Sequence, residues 1–74
     1  MPGQSLLGTI YYYKGDYENA VVWLEKAAEQ DDWGAQLILS ICYENGKGVE
    51  QNSELAEYWR RKSEETEAAE YAED

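Results

Sequence analysis

Residues 43–62, YENGKGVEQNSELAEYWRRK, decide the fold because a glycine-containing loop separates two stretches with helical patterning. Before the loop, apolar residues recur at helical spacing up to Tyr43, and Gly46 is typical of a helix end. After the loop, Asn52 or Ser53 can cap the next helix. The stretch therefore predicts a helix, a loop and a second helix.

Two further helices precede this unit. The first has apolar and aromatic residues at i, i+3, i+4 and i+7 and stops before Gly15, and Asp16 is a good N-cap for the second. Asp31 and Asp32 end the second helix and can cap the third. We expect the acidic end of the fourth helix to be partly frayed. The predicted helices cover residues 5–13, 16–30, 31–45 and 52–71, with no candidate strand.

The four predicted helices form two copies of one helix pair. Leu7-Gly8 with Tyr11 returns 32 residues later, whereas Ala20, Trp23 and Lys26 return 36 residues later. The later copy has therefore gained four residues in the loop between its helices. The returning residues are Leu39-Ser40 with Tyr43, and then Ala56, Trp59 and Lys62.

The second copy resembles the Sel1-like repeat, and the first resembles the related tetratricopeptide repeat. The Sel1-like residues are Tyr43, Gly46, Gly48, Val49, Asn52, Ala56, Trp59 and Lys62. Two positions depart from that pattern, since Asn52 stands where aspartate is common and Ser63 where alanine is usual. The tetratricopeptide-like residues are Leu7-Gly8, Tyr11, Gly15-Asp16-Tyr17, Ala20, Leu24 and Ala27.

This resemblance implies an all-α solenoid fragment of two antiparallel helix-turn-helix repeats with an acidic C-terminal helix. We expect a single domain over residues 1–74, with repeats at 4–30 and 32–63 and an acidic extension at 64–74. Two repeats are fewer than the roughly three that solenoids usually need. Three explanations stay open: the charged last helix caps the stack, the chain is a fragment, or another chain completes the stack.

Length and charge exclude several classes of function. Seventy-four residues hold one small domain, and a 43% hydrophobic content predicts a folded one. A net charge of -10 disfavours direct nucleic-acid binding, and no stretch is apolar enough for a membrane span. The single cysteine, Cys42, cannot form an intramolecular disulfide, which fits a reducing, cytoplasmic location.

The sequence offers little for catalysis. There is no histidine, and no serine has an obvious base partner, so we expect a protein that is not an enzyme and has no cofactor. Cys42 lies on an apolar helix face and is expected in the core. The glycines around Lys47 lack the spacing of a phosphate loop, and the carboxylates of Glu29, Asp31 and Asp32 lack the spacing of a calcium loop, so we expect no metal site.

Binding residues follow from the resemblance, because the first helix of each pair lines the concave groove in both repeat families. The implied partner-binding residues are Ser5, Thr9, Tyr12, Tyr13, Leu37, Ile41, Glu44 and Asn45. Leu37 and Ile41 are the informative pair, because open apolar side chains beside Tyr12 and Tyr13 are typical of an interaction hot spot. The alternative is that the tail or an extended fourth helix folds back over them.

Charge supplies the second candidate feature. The acidic end comprises Glu64, Glu65, Glu67, Glu70, Glu73 and Asp74. It is either a solvated face or a field that attracts a basic partner. The basic residues Arg60, Arg61 and Lys62 can pair within the helix with Glu57, Glu64 and Glu65.

Two functional hypotheses follow. The first is a non-enzymatic adaptor whose groove binds another protein with a basic or mixed apolar-basic surface. The second is a small acidic inhibitor that blocks the basic surface of a nucleic-acid-handling enzyme. A homodimer through Leu37 and Ile41 is a further possible association.

Overall fold

The chain forms four α-helices joined by short connections. The computed structural model describes the backbone of residues 3–72 and the side chains of residues 6–69. Over these residues it contains helices and no strand, as the sequence predicts. The helices are α1 (Gly3–Lys14), α2 (Tyr17–Glu29), α3 (Trp33–Asn45) and α4 (Ser53–Ala72). α4 extends through most of the acidic segment, to Ala72, and the partial fraying expected there stays a prediction.

The predicted caps begin three of the helices. Asp16 accepts the backbone N–H of Asn19, and Asp32 accepts the N–H groups of Gly34 and Ala35. Asn52, rather than the alternative Ser53, caps α4, because its Oδ1 accepts the N–H of Leu55 at 3.1 Å. An amide oxygen therefore serves at this position as well as the more common carboxylate would.

Left-handed residues end three of the helices. Gly15 and Gly46 have φ angles of 87° and 69°, as the sequence predicts for helix exits. The sequence predicts that α2 ends at Asp31, but not its left-handed backbone. Asp31 has a φ of 66°, its N–H bonds to the Ala28 carbonyl, and the Asp32 N–H bonds to that of Ala27. These two bonds form a Schellman motif in which aspartate, a residue that tolerates the left-handed region, replaces glycine.

Each helix packs on the next one along the chain, which gives two antiparallel pairs. In addition α3 packs on α1, so α3 contacts all three other helices, whereas α1 and α4 do not touch over residues 3–72. The core lies mainly on α2 and α3, with partly buried aromatic rings around it. Its buried members are Ala20, Val21, Leu24, Ala27, Ala28, Ala35, Leu39 and Cys42.

Small residues allow the paired helices to approach closely. A Cβ atom on Gly8 would lie only 2.8 Å from Cγ of Leu24, so α1 and α2 need glycine at this contact. The equivalent Ser40 is buried, and its hydroxyl donates to the Leu37 carbonyl at 2.6 Å. Ser63 is buried in α4 in the same way and donates to Arg60. Serine is tolerated at both positions because each hydroxyl finds a local acceptor.

The apolar stripe that predicts α1 does not enter the core. Leu6, Ile10 and Tyr13 are 61%, 42% and 80% exposed, although their spacing defines the helix. The buried side of α1 instead carries Gly8, and Tyr11 and Tyr12 pack against the core from α1. Periodicity identified a helix here, but it did not identify which side of that helix has a neighbour.

The loop that distinguishes the second repeat packs back onto the first. A Cβ atom on Gly48 would collide with the backbone carbonyl of Tyr17, and the φ of Gly48 is 76°. Val49 packs against the core, as expected from the sequence, and the Asn52 N–H bonds to the Tyr43 carbonyl at 2.9 Å. The four extra residues therefore join the two repeats at the start of α2.

Candidate functional site

The predicted groove residues of α3 lie on a side of the helix that is only partly covered. Leu37 is 39% exposed and Ile41, one turn later, is half-buried. α4 packs along α3, yet it leaves Leu37 accessible to solvent. α1 packs beside α3, so the predicted groove residues of the two repeats lie on adjacent helices and define the candidate surface.

Aromatic rings line the C-terminal end of this surface. The Tyr12 ring meets Tyr13 edge-on at 5.6 Å and Tyr17 at 5.4 Å, both measured between ring centroids. Lys47 lies over the Tyr17 ring, with its Nζ 4.7 Å from the centroid, and donates to the Tyr17 hydroxyl at 3.4 Å. The cluster therefore joins α1, the start of α2 and the loop before α4.

Sequence reasoning missed Tyr17 and Lys47 as members of this cluster. The sequence pattern identifies Tyr17 as a repeat position and Lys47 as a loop residue, but it does not predict their contact. The signal was present, because Tyr12 and Tyr17 flank the turn at Gly15, and a two-residue turn between antiparallel helices brings such side chains together.

The remaining groove residues have different surroundings. Thr9 is half-buried, whereas Glu44 and Asn45 are exposed at the end of α3. Asn45 donates its side-chain amide to the Ile41 carbonyl, and Gln51 donates to the Glu44 carbonyl, each at 3.1 Å. These bonds close the end of α3 and leave the Glu44 carboxylate facing solvent. Ser5 lies in α1, with its side chain outside the described residues.

The acidic residues of α4 are only partly described. Glu64 and Glu65 are exposed and Glu67 is half-buried. The Glu70 side chain and the residues Glu73 and Asp74 lie outside the described part of the chain. Of the predicted pairs within the helix, Arg61 with Glu57 is confirmed at 3.0 Å between Nη2 and Oε2. Both side chains are more than half exposed, so this pair contributes little stability.

Two helix pairs, together with Tyr43 and the Gly-x-Gly-Val loop that follows it, are the features of a known repeat. A model of the Sel1 repeat matches residues 2–32 and again residues 33–65. The chain belongs to the Sel1 repeat family. Comparisons with curated proteins and with solved structures found no match. Sel1 repeats generally mediate protein–protein interaction and are typically non-enzymatic, so protein binding is the function that the family supports.

The reactive side chains of this Sel1 repeat protein are held within its packing. Cys42 is fully buried, as the sequence predicts, and burial raises the pKa of its thiol, although Lys47 partly opposes the shift. Tyr43 donates its hydroxyl to Glu25 at 3.2 Å. Burial and then the Glu25 carboxylate raise the pKa of Tyr43. Both groups are therefore more strongly protonated than free thiol or phenol.

The raised pKa of Cys42 predicts a loss of stability at alkaline pH. A folded-state pKa above the unfolded value contributes its stability fully below the ordinary thiol value near 9, and this contribution disappears as pH rises through the folded pKa. We expect the free energy of unfolding, measured in urea, to fall as pH rises above that value. The free energy of unfolding of Cys42→Ala should fall less steeply over the same pH range. Equal slopes for the variant and the unchanged chain would contradict the prediction. Tyr43→Phe is the control for the phenol, which titrates in the same direction.

The described part of this Sel1 repeat protein has neither a metal-binding cluster nor a membrane-spanning helix. Within the described side chains, histidine, cysteine, aspartate and glutamate do not form a group of three or more that could hold a metal ion. The carboxylate of Asp32 instead caps α3. No helix within residues 3–72 has the length and apolarity needed to cross a membrane.

Proposed function

We propose that the chain is a small adaptor that binds a partner protein on the surface formed by α1 and α3. The observation that carries the proposal is the exposure of Leu37, an apolar residue on α3, the helix that contacts every other helix. Its equivalent in the first repeat is the polar Ser5, so burial in the repeat core does not require leucine at this position. An exposed leucine, on helices that also carry exposed aromatic side chains, is typical of a protein-binding surface.

The aromatic cluster supports the same proposal. Tyr13 is 80% exposed, and its ring is oriented by contact with Tyr12, which in turn packs against Tyr17. Tyrosines that are already ordered lose little side-chain entropy when a partner binds. Glu44 adds an exposed carboxylate near the C-terminal end of α3. The partner we propose therefore has a mixed apolar-basic surface. The free buried thiol suits a reducing compartment, so we place this adaptor in the cytoplasm.

The proposal is tested by capturing a partner with matched variants. We expect Leu37→Ala to weaken capture about 10-fold or more, because the side chain would be central to the interface. Val22→Ala is the control, since Val22 is 48% exposed on α2. This variant also truncates an exposed aliphatic side chain, but away from the groove. Equal capture by both variants and by the unchanged chain would overturn the proposal.

The acidic-inhibitor hypothesis depends on a different surface and makes the opposite prediction for salt. Its support is the exposure of Glu64 and Glu65 on α4, on a chain of net charge -10. If this surface binds the partner, changing both residues to glutamine should weaken binding, and so should raising the salt from about 0.1 to about 0.5 M. For the adaptor, salt should have little effect and the two glutamine substitutions should be tolerated.

A further inference from the structure

The outer face of α1, formed by Leu6, Leu7 and Ile10, is apolar and uncovered. Leu6, Leu7 and Ile10 are 61%, 40% and 42% exposed. Three exposed apolar side chains on one short helix indicate an interaction surface. The adaptor surface also uses α1, but through Thr9, Tyr12 and Tyr13, so the two proposals rest on different residues of this helix.

The second repeat shows what normally covers such a face. Thirty-two residues later the equivalent positions are Ile38, Leu39 and Cys42 on α3. Leu39 and Cys42 are fully buried and Ile38 packs against the core, because α2 packs on α3. The face on α1 has the same apolar character but has no helix of the described chain against it. It therefore fits an apolar helix supplied by another molecule.

The other end of the stack is closed by charge. The residues of α2 that join the core include Val21, Leu24 and Ala28, and 36 residues later α4 carries Glu57, Arg60 and Glu64. All three of these α4 residues are exposed. Burying them against the α1 of another copy would remove Arg60, Glu64 and the Glu57–Arg61 ion pair from water, and the apolar face of α1 offers them no partner. Stacking of copies head to tail is therefore disfavoured.

Charge also distinguishes α1 from the rest of the chain. Residues 1–15 contain no aspartate or glutamate and one basic residue, Lys14, so their formal charge is +1. Because the whole chain has a charge of -10, residues 16–74 carry -11. Two copies of this charge repel each other in most orientations. Contact through α1 brings no acidic residue of that helix into the interface. α4, which carries many of the acidic residues, does not contact α1 within the chain.

We propose that the outer face of α1 is a homodimer interface in which α1 packs against α1 of a second copy about a two-fold axis. Such an interface uses the same patch on both copies and closes on itself, so it gives dimers and not filaments. A 12-residue helix is about 18 Å long, and its patch is smaller than the roughly 800 Å² per partner of a standard interface. The dimer is therefore weak, with a dissociation constant of about 1–100 µM.

The test is the mass of the full chain in solution by sedimentation equilibrium, from about 5 to about 500 µM. We expect the mass to rise from 8.5 kDa toward twice that value. Added salt should strengthen the association, because it screens the repulsion between two acidic copies. Ile10→Glu should hold the mass at that of the monomer. Its helix content should not change, because Ile10 is 42% exposed in the folded chain.

Two matched variants separate this interface from other surfaces. Val22→Glu makes the same kind of change at a 48% exposed position on α2, and Leu37→Glu makes it in the groove. Both should still form dimers. A chain that remains monomeric up to about 500 µM would overturn the proposal and leave the α1 face for the helix of a different protein. Dimers that persist in Ile10→Glu but are lost in Leu37→Glu would also overturn it, and would place self-association in the groove.

Discussion

Gly48→Ala should lower the free energy of unfolding by about 2–4 kcal/mol, combining the cost of a left-handed alanine with that of a steric collision. The φ of Gly48 is 76°, and the added Cβ would collide with the Tyr17 carbonyl of the first repeat. Relieving the collision requires the loop to move away from α2, because backbone cannot rotate aside as a flexible side chain can. The measurement is urea unfolding followed by circular dichroism.

Gly15→Ala is the matched control for this prediction. Gly15 has a similar φ of 87°, but a Cβ there would have no atom within 4 Å. It should therefore cost only the backbone strain, about 1 kcal/mol. If the two variants are equally destabilised, the contact between the loop and α2 contributes nothing and the prediction fails. A domain of this size has only about 4–11 kcal/mol of stability in total, so Gly48→Ala could leave much of the chain unfolded.

Leu39→Ala should lower the free energy of unfolding by about 2–5 kcal/mol, because it leaves a cavity in the core. Leu39 is fully buried between α2 and α3. Leu7 is its equivalent in the first repeat but is 40% exposed, so Leu7→Ala should cost about 1 kcal/mol. The two variants truncate the same residue type at the same repeat position. Leu39 has the helix of the preceding repeat, α2, packed against it, whereas Leu7 has no such helix.

The comparison requires protein dilute enough to be monomeric, since a dimer through α1 would also bury Leu7. Urea midpoints measured by tryptophan fluorescence are sufficient at that concentration. A loss for Leu7→Ala as large as that for Leu39→Ala would show that the first repeat is as well covered as the second. The outer face of α1 would then be covered in solution, contrary to the structure.

Much of this fold could be predicted from the sequence because its signals are local. Asp16, Asp32 and Asn52 cap helices through residues two or three positions away. Gly15 and Gly46 end helices for an equally local reason, their positive φ. The repeat itself was visible because both copies kept their small and aromatic residues at the same spacing.

The features that were missed depend on neighbours that are distant in sequence. The hydrophobic stripe of α1 is identical in character whether or not another helix covers it, so its exposure could not be predicted. Gln36 was not expected in the core, yet it is fully buried and donates its side-chain amide to the Ala28 carbonyl at the end of α2. Asp31 adopts a backbone conformation that glycine usually takes, and only the observed turn identifies it.

The candidate site was predictable to a smaller extent. The resemblance predicts which helices carry the groove, and in the structure Leu37 is 39% exposed and Ile41 is half-buried. The contact of Tyr12 with Tyr17, and of Tyr17 with Lys47, required the position of the second-repeat loop relative to the first repeat. That position depends on the extra loop residues and on the close approach of Gly48 to Tyr17, which the loop pattern alone does not show.

The central position of α3 has a consequence for the order in which the molecule opens. α3 contacts the other three helices, whereas α4 contacts only α3 over the described residues. Detaching α4 therefore leaves the three-helix core together, and detaching α1 leaves α2, α3 and α4 together. Amide hydrogens of α3 should exchange with solvent last, near the rate of global unfolding, while those of α1 and the far end of α4 exchange through separate local openings. The chain would then unfold inward from both of its ends.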